Sequence, residues 1–355
     1  MKALVWTAPE QMVWMEAEKP QPAANEVRIK VEAVGICGSE IEGYLGHNSL
    51  RVPPLIMGHE FSGLVESLGT AVEEPLEIGQ RVVVNPLLHC GKCRSCDRGN
   101  PQLCANRQII GIHRSGAFGQ WVTVPSSAVI AVPNGMSPFR AALAEPLACS
   151  LRAVRRAMDG YVFPNVVIFG AGGIGLLCAK AAKRLGAESV IVVDTNPQRL
   201  EIAREHAADQ TINPAERTVE EVIRKQYADR GVDVVVDAAG FQPTRSAAAM
   251  LLNPGGTLMN IGLGIDDTIL PVNHFIRSEI RMLGSFCYDR ADFAAAVNLL
   301  AGGAITEDGW TDIRPLSEGG RAFEDLVAGR VHHGKIILDA RAEGETRVWK
   351  EKPNE

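Results

Sequence analysis

Four cysteines carry the sharpest chemical signal in the chain. Cys90, Cys93, Cys96 and Cys104 stand in the pattern C-x2-C-x2-C-x7-C. Two-residue spacings let neighbouring thiolates converge on one ion, and four thiolates close a tetrahedral shell around zinc. A closed shell leaves no position for a substrate, so this zinc is expected to be structural. An iron–sulfur site and reactive thiols are the alternatives. Ferredoxin-like runs place a proline after the last cysteine, whereas Ala105 follows here. A zinc-ribbon module for nucleic acid is the reading from another functional class. It fits poorly with an enzyme-sized chain of 355 residues and formal net charge −6, because nucleic-acid binding needs a basic face.

A second signal lies at Gly170-Ala-Gly172-Gly173-Ile174-Gly175, directly after the apolar run Val166–Phe169. In that position GxGxxG predicts a dinucleotide turn. Gly170 permits the tight turn, Gly172 lets the backbone approach a pyrophosphate, and Gly175 lets helix and strand pack closely. The helix N-terminus then faces the phosphate charge. Asp194 ends the next apolar run, 19 residues after Gly175. An acid there binds ribose hydroxyls and repels a 2′-phosphate, which favours NAD over NADP. Arg199 stands nearby and is expected to lie along the adenine or pair locally.

Two weaker segments complete the chemistry, Cys37-Gly-Ser39-Glu40-Ile-Glu42 and Gly58-His59-Glu60-Phe-Ser-Gly63. A soft thiolate, an imidazole and a carboxylate can hold zinc while leaving room for a substrate oxygen. Such a zinc is a Lewis acid for alcohol chemistry.

These residues need elements to position them. The first 140 residues look β-rich, with short apolar segments at Val27–Val34, Phe61–Leu68, Arg81–Asn85 and Trp121–Val124 between Gly and Pro punctuation. Met1–Trp14 reads as a first strand and not as a signal peptide. From Val166 the pattern changes to strands (Val166–Phe169, Ser189–Val193, Val232–Val236, Gly256–Ile261, Ile280–Leu283) alternating with helices (Ile174–Leu185, Pro197–Glu205, Val219–Tyr227, Pro243–Leu252). That alternation predicts a doubly wound parallel sheet in an α/β protein. After Ser285 the rhythm is lost, apart from a helix at Asp292–Leu300 and a terminal strand at Lys335–Leu338. The charged tail after Arg341 is expected to be disordered. The predicted division is a β-rich domain of residues 1–147 and 286–355 around a nucleotide domain of residues 148–285. There is no run of about 18 apolar residues to span a membrane, and the expected location is the cytoplasm.

In order along nearly the whole chain, the Cys-Gly-Ser segment, the Gly-His-Glu-x-x-Gly segment, the four-cysteine lobe, Glu145-Pro-Leu and the Gly170 fingerprint resemble the zinc-containing medium-chain dehydrogenases, the superfamily of alcohol, sorbitol and threonine dehydrogenases. The resemblance implies a GroES-like β-rich catalytic domain plus a Rossmann doubly wound parallel-sheet domain, with two zinc ions per chain and NAD. It implies Cys37 and His59 as catalytic zinc ligands. The polyol-type branch adds Glu60 and Glu145, either of which water can replace. Cys149 is a rival ligand, read instead as a buried apolar thiol. Family members pass the substrate proton through a hydroxyl at the position of Ser39 toward a histidine three positions later. Here that position holds Glu42, a candidate relay or a surface carboxylate, with His47 as a substitute base. Tyr44, His47, Arg51, Phe118 and Phe286 are candidate substrate-wall residues. The expected activity is oxidation of a secondary alcohol of a polyhydroxy small molecule to a ketone. Dehydrogenation of a sugar-phosphate polyol or an amino alcohol is the alternative, as is an NADPH-dependent reductase without catalytic zinc. A homodimer or homotetramer is expected, pairing through an edge strand Gly256–Ile261 and its neighbour Ile280–Leu283.

Overall fold

The structure is a computed structural model and describes residues 1–133, 135–227 and 230–341. The charged tail beyond Arg341 lies outside the described residues. Six parallel strands build the nucleotide half, in the spatial order Gln210–Ile212, Ser189–Val193, Asn165–Phe169, Val232–Asp237, Leu252–Asn260, Arg281–Gly284. Numbered along the chain this is the order 3-2-1-4-5-6 of a doubly wound dinucleotide fold. The central strand shows why its apolar run is continuous. Val166 and Ile168 enter one core, Val167 and Phe169 the other, so both faces are covered.

Gly256–Ile261 is not an edge. It belongs to the strand Leu252–Asn260, which pairs with Val232–Asp237 on one side and Arg281–Gly284 on the other. Arg281–Gly284, the strand read from the sequence as Ile280–Leu283, lies at one edge instead, and its residues are mostly exposed. The sequence also hid a short sheet strand, Gln210–Ile212, and the buried helix Ala144–Ala157. Pro146 disguises that helix, although proline is tolerated in a first turn.

The β-rich half is a mainly antiparallel sheet. Its order is Thr311–Pro315, Lys335–Asp339, Glu26–Gly35, Glu60–Leu68, Arg81–Val84, Val129–Ala131, with Trp121–Pro125 also on Glu26–Gly35. The single N-terminal strand resolves into a hairpin, Lys2–Ala8 with Gln11–Glu16, because Glu10 takes a positive φ and turns the chain. The region after Ser285 is more regular than its sequence. Besides the helix Arg290–Ala301 it holds the strand Thr311–Pro315 and the helix Gly319–Val327. Two opening glycines disguise that last helix, since glycine is a poor helix former.

The helix Ala144–Ala157 is clamped to Arg290–Ala301 by charge. Arg152 Nη1 lies 2.7 Å from both Asp289 Oδ2 and Asp292 Oδ2, and Arg155 Nη2 lies 2.8 Å from Asp292 Oδ1. Asp292 also accepts the Asp289 backbone N–H. Burial disfavours its charge, but Arg152 and Arg155 outweigh this and hold its carboxyl below the ordinary 3.8.

Two stability tests follow from these contacts. Asp292→Asn leaves Arg152 under-paired and should lower unfolding free energy by about 2 kcal/mol in urea titrations at neutral pH. Because the folded pKa is depressed, that difference is full well above 3.8 and shrinks as pH falls below it. A Cβ on Gly175 would lie 1.8 Å from the Gly170 carbonyl oxygen. Gly175→Ala should therefore cost about 1–3 kcal/mol, read as a lower melting temperature.

Candidate functional site

The four-cysteine lobe sits around a short helix, Arg94–Asp97. The Cys93–Cys96, Cys93–Cys104 and Cys104–Cys90 sulfur separations are 3.6, 3.8 and 3.5 Å. Sulfurs about 2.3 Å from a tetrahedral zinc stand about 3.8 Å apart. None of the cysteines is in a disulfide. The Cys96 backbone N–H leads in lowering the Cys93 thiol to about 6, against the opposing effect of burial. The donor set and spacing fit a structural zinc.

The second cluster brings Cys37, His59 and Glu60 together, with their ligand atoms within 4.8 Å of one another. Cys37 immediately precedes the helix Gly38–Tyr44, and His59 and Glu60 stand at the start of the strand Glu60–Leu68. Glu40, which sequence reasoning quoted but gave no role, joins the two segments. Its Oε2 accepts the Cys37 N–H at 3.0 Å; its Oε1 accepts the Gly58 N–H at 2.8 Å and lies 2.9 Å from His59 Nδ1. With Nδ1–H directed at Glu40, Nε2 is left as the ligand atom. Burial disfavours a charged His59, yet Glu40 and Cys37 raise its pKa well above the ordinary value. A thiolate, an imidazole and a carboxylate whose ligand atoms converge this closely form a donor set that zinc accepts. The chemistry of the donors therefore fits zinc.

Lys335 is the other residue the sequence did not flag. It arrives on the terminal strand and places Nζ 2.6 and 2.5 Å from the two Glu60 carboxylate oxygens, and 3.1 Å from the Ile36 carbonyl. Glu60 is thus ion-paired and fully buried. Glu145 lies outside the 4.8 Å cluster but interacts electrostatically with His59, Glu60 and Lys335. Burial pushes its carboxyl up to about 7; His59 opposes that shift and Glu60 adds to it. Cys149 is half-buried, its Sγ 3.8 Å from Glu145 Oε1. The Cys287 thiol, burial and Glu145 raise it, and it packs against the larger apolar core, as read from the sequence, with Glu145 at its edge.

Ser39 Oγ accepts a hydrogen bond from Arg51 Nη2 at 3.3 Å. Arg51 is buried, and its Nε and Nη1 have no hydrogen-bond partner among the described residues. Glu42 is exposed and faces His47 Nδ1 at 3.3 Å. Two of the candidate wall residues serve the core instead. Tyr44 donates to the Glu10 carbonyl and stacks on Phe323, and Phe118 packs edge-on against the same ring. Phe286 is partly exposed under the Arg107 guanidinium.

In the glycine turn, Gly170 adopts φ +100°, a conformation that favours glycine. Gly172 directly precedes the helix Gly173–Arg184, and Ile174 packs against the core. Asp194 Oδ2 accepts the Ala171 N–H at 2.7 Å, tying the acid to the turn. Arg199 Nη2 donates to the Val331 carbonyl at 3.2 Å, so it pairs with a distant segment of the chain and not locally. A Cβ on Gly173 would lie 2.8 Å from the Gly334 oxygen and 3.7 Å from Lys335 Cδ. The turn therefore abuts the residue that pairs with Glu60.

Comparison with known proteins agrees with this geometry. Residues 23–134 match the alcohol dehydrogenase GroES-like domain, and residues 173–302 match the zinc-binding dehydrogenase family. L-galactonate-5-dehydrogenase of Escherichia coli K12 is 35% identical over 314 residues, covering 87% of this chain and 89% of that protein. D-xylulose reductase A of Aspergillus oryzae is 31% identical, covering 86% and 88%. Among solved structures, a zinc-binding dehydrogenase of Sinorhizobium meliloti 1021 bound to NADP superposes with a TM-score of 0.89 at 31% identity, covering 95% and 98%. The chain, a GroES-like β-rich half joined to a Rossmann sheet, belongs to the zinc-dependent medium-chain alcohol dehydrogenase superfamily.

Proposed function

We propose that the protein oxidises a secondary hydroxyl of a polyol or sugar-derived substrate to a ketone, using a catalytic zinc and NAD. The observation that carries this reading is the adjacency just described. A thiolate, imidazole and carboxylate cluster is joined to Lys335 through Glu60, and Lys335 lies so near the dinucleotide turn that a Cβ on Gly173 would come within 3.7 Å of its Cδ. The relatives above are named for a sugar acid and for a sugar that a polyol dehydrogenase would produce. The working division is residues 1–147 with 286–355 for the catalytic domain and 148–285 for the nucleotide domain.

Cys37 and His59 would hold the catalytic zinc, with the carboxylate supplied by Glu60, which lies in the same cluster but pairs with Lys335, or by Glu145, and the four cysteines would hold the structural one. When bound, zinc supplies Lewis acidity and NAD the hydride acceptor. Ser39 takes the proton of the substrate hydroxyl. The exposed Glu42–His47 pair receives it at the solvent edge. Glu40 fixes the His59 tautomer and ring direction. Gly170, Gly172, Gly173, Ile174 and Gly175 form the pyrophosphate seat. Asp194 disfavours a 2′-phosphate, so NAD is preferred although one structural neighbour carries NADP. Eight unpaired thiols suit the reducing cytoplasm. Exposed Leu263, Ile269, Val272 and Ile276 lead into the edge strand Arg281–Gly284 and suit pairing with a second copy, in a dimer or tetramer.

Metal analysis should find about two zinc ions per chain, falling to about one in Cys37→Ser with turnover at background. One zinc in the unaltered protein would sink the catalytic assignment. Glu40→Gln should weaken the catalytic zinc about 10–100-fold in chelator competition, leaving the four-cysteine zinc in place. A panel of polyols and sugar derivatives followed by NADH absorbance should give turnover with NAD at least roughly tenfold above NADP. Activity confined to amino alcohols would overturn the substrate reading.

A further inference from the structure

Arg51 is the buried charge that the proposed chemistry leaves unused. It lies between the helix Gly38–Tyr44 and the strand Glu60–Leu68, with 3% of its surface exposed. A guanidinium carries five N–H donors. The one hydrogen bond made by this guanidinium among the described residues runs from Nη2 to Ser39 Oγ at 3.3 Å. Nε and Nη1 are buried without a partner. No carboxylate of the described residues lies within ion-pairing distance of it. Glu40, the acid that most influences it, is already committed to Cys37, Gly58 and His59. Buried guanidinium groups are ordinarily paired, and one that is not is a place where a ligand completes the pairing.

The fold makes deliberate room for this side chain. Gly43 stands four residues after Ser39, on the same face of the helix. A Cβ there would come within 2.5 Å of Arg51 Cδ and 3.0 Å of Nε. The arginine stem lies across the bare backbone at Gly43, and the guanidinium ends at Ser39. Its placement is therefore beside the hydroxyl that meets the substrate, two residues from Cys37. The other cation of the site, Lys335, is occupied by Glu60.

We propose that Arg51 binds an oxyanion of the substrate, a carboxylate a few bonds from the reacting hydroxyl, so that the substrate class is a sugar acid and not a neutral polyol. This deepens the function proposed above and rests on it. The planar fork of the guanidinium matches a carboxylate. With no second free cation beside it among the described residues, the site suits a monoanionic carboxylate better than a dianionic phosphate. Gly43 is the partner residue that gives Arg51 its reach.

The same chemistry could come from the cofactor pyrophosphate, and the experiment separates the two sources. Zinc-loaded wild type, Arg51→Gln, Arg51→Lys and Gly43→Ala are compared on aldonates and alditols of matched chain length, with alditol phosphates alongside. The wild type is expected to favour aldonates at least tenfold in kcat/KM. Arg51→Gln should lower the aldonate-to-alditol ratio about 100-fold, mainly through KM, consistent with loss of a charge-assisted pair. Arg51→Lys should restore part of it, and Gly43→Ala should shift the ratio in the same direction as Arg51→Gln. Aldonate binding to the enzyme–NADH complex, followed by NADH fluorescence, should weaken in parallel while NADH affinity itself stays within twofold. An equal loss on both substrate classes, a preference for alditols or alditol phosphates, or a matching loss of NADH affinity would overturn the proposal. If Arg51→Gln does not fold, Arg51→Lys and Gly43→Ala decide it alone. A wild type that binds NADH and aldonate but turns over no sugar derivative would instead count against the dehydrogenase reading, because the binding measurement tests Arg51 independently.

Discussion

The three contacts made by the Glu40 carboxylate organise the catalytic half. Glu40 has no solvent exposure. It holds the backbone at Cys37, the backbone at Gly58 and the imidazole of His59. Those are the two segments that must meet for a thiolate and an imidazole to share one ion. A buried carboxylate is costly to desolvate, and three donors repay that cost only while the helix Gly38–Tyr44 and the strand Glu60–Leu68 stay in register. The acid therefore does more than orient a ring. It makes the local fold and the ligand geometry one condition. Gly58, at φ +100° and with a would-be Cβ 2.8 Å from the Phe118 nitrogen, shows how little freedom the histidine segment has.

A second constraint comes from the far end of the chain. Lys335 neutralises Glu60 and lies close enough to the glycine turn of the nucleotide half that a Cβ on Gly173 would come within 3.7 Å of its Cδ. It can do so because the terminal strand Lys335–Asp339 pairs antiparallel with Glu26–Gly35 in the sheet begun by the N-terminal residues. The chain thus leaves the β-rich half, builds the nucleotide sheet, and returns to supply a charge to the first half. Without that return Glu60 would be a buried, unpaired anion, a larger penalty than any single surface contact could offset.

The elements with strong period were legible. Strands such as Ser189–Val193 and helices such as Val219–Tyr227 have the bounds their apolar spacing implies, because both faces of the sheet and one face of the helix are buried. Gly170, Gly175 and the four cysteines were legible for a different reason: their chemistry requires fixed local spacing. What the sequence concealed was long-range. Lys335 is 275 residues from Glu60, and nothing local marks an isolated lysine as buried. Glu40 reads as a surface acid on a short helix. Tyr44 and Phe118 look like pocket residues by position, yet packing against Phe323, on a helix masked by glycines, draws them into the core. The edge was misplaced for the same reason: both strands were read, but their order in the sheet is set by long-range pairing, which puts Arg281–Gly284 outside Leu252–Asn260.

The two halves of the site also differ in how they treat charge, and this bears on how the enzyme can select a substrate. The four-cysteine lobe gathers thiolates at a partly exposed loop, where an ion of fixed charge satisfies them and nothing further is needed. The Cys37, His59 and Glu60 cluster instead mixes signs under burial. Glu60 with Lys335 and Glu40 with His59 are internally balanced pairs, so they fix geometry while contributing little net field. The groups left unbalanced are Glu145, whose burial already weakens its hold on charge, and Arg51, which cannot give up its proton. In a low-dielectric pocket the unbalanced groups dominate what a ligand feels. By the Arg51 proposal, selectivity on this scaffold resides less in the proposed metal ligands than in a pair of ordinary residues, Gly43 and Arg51, whose combination sets the sign of the charge facing the substrate.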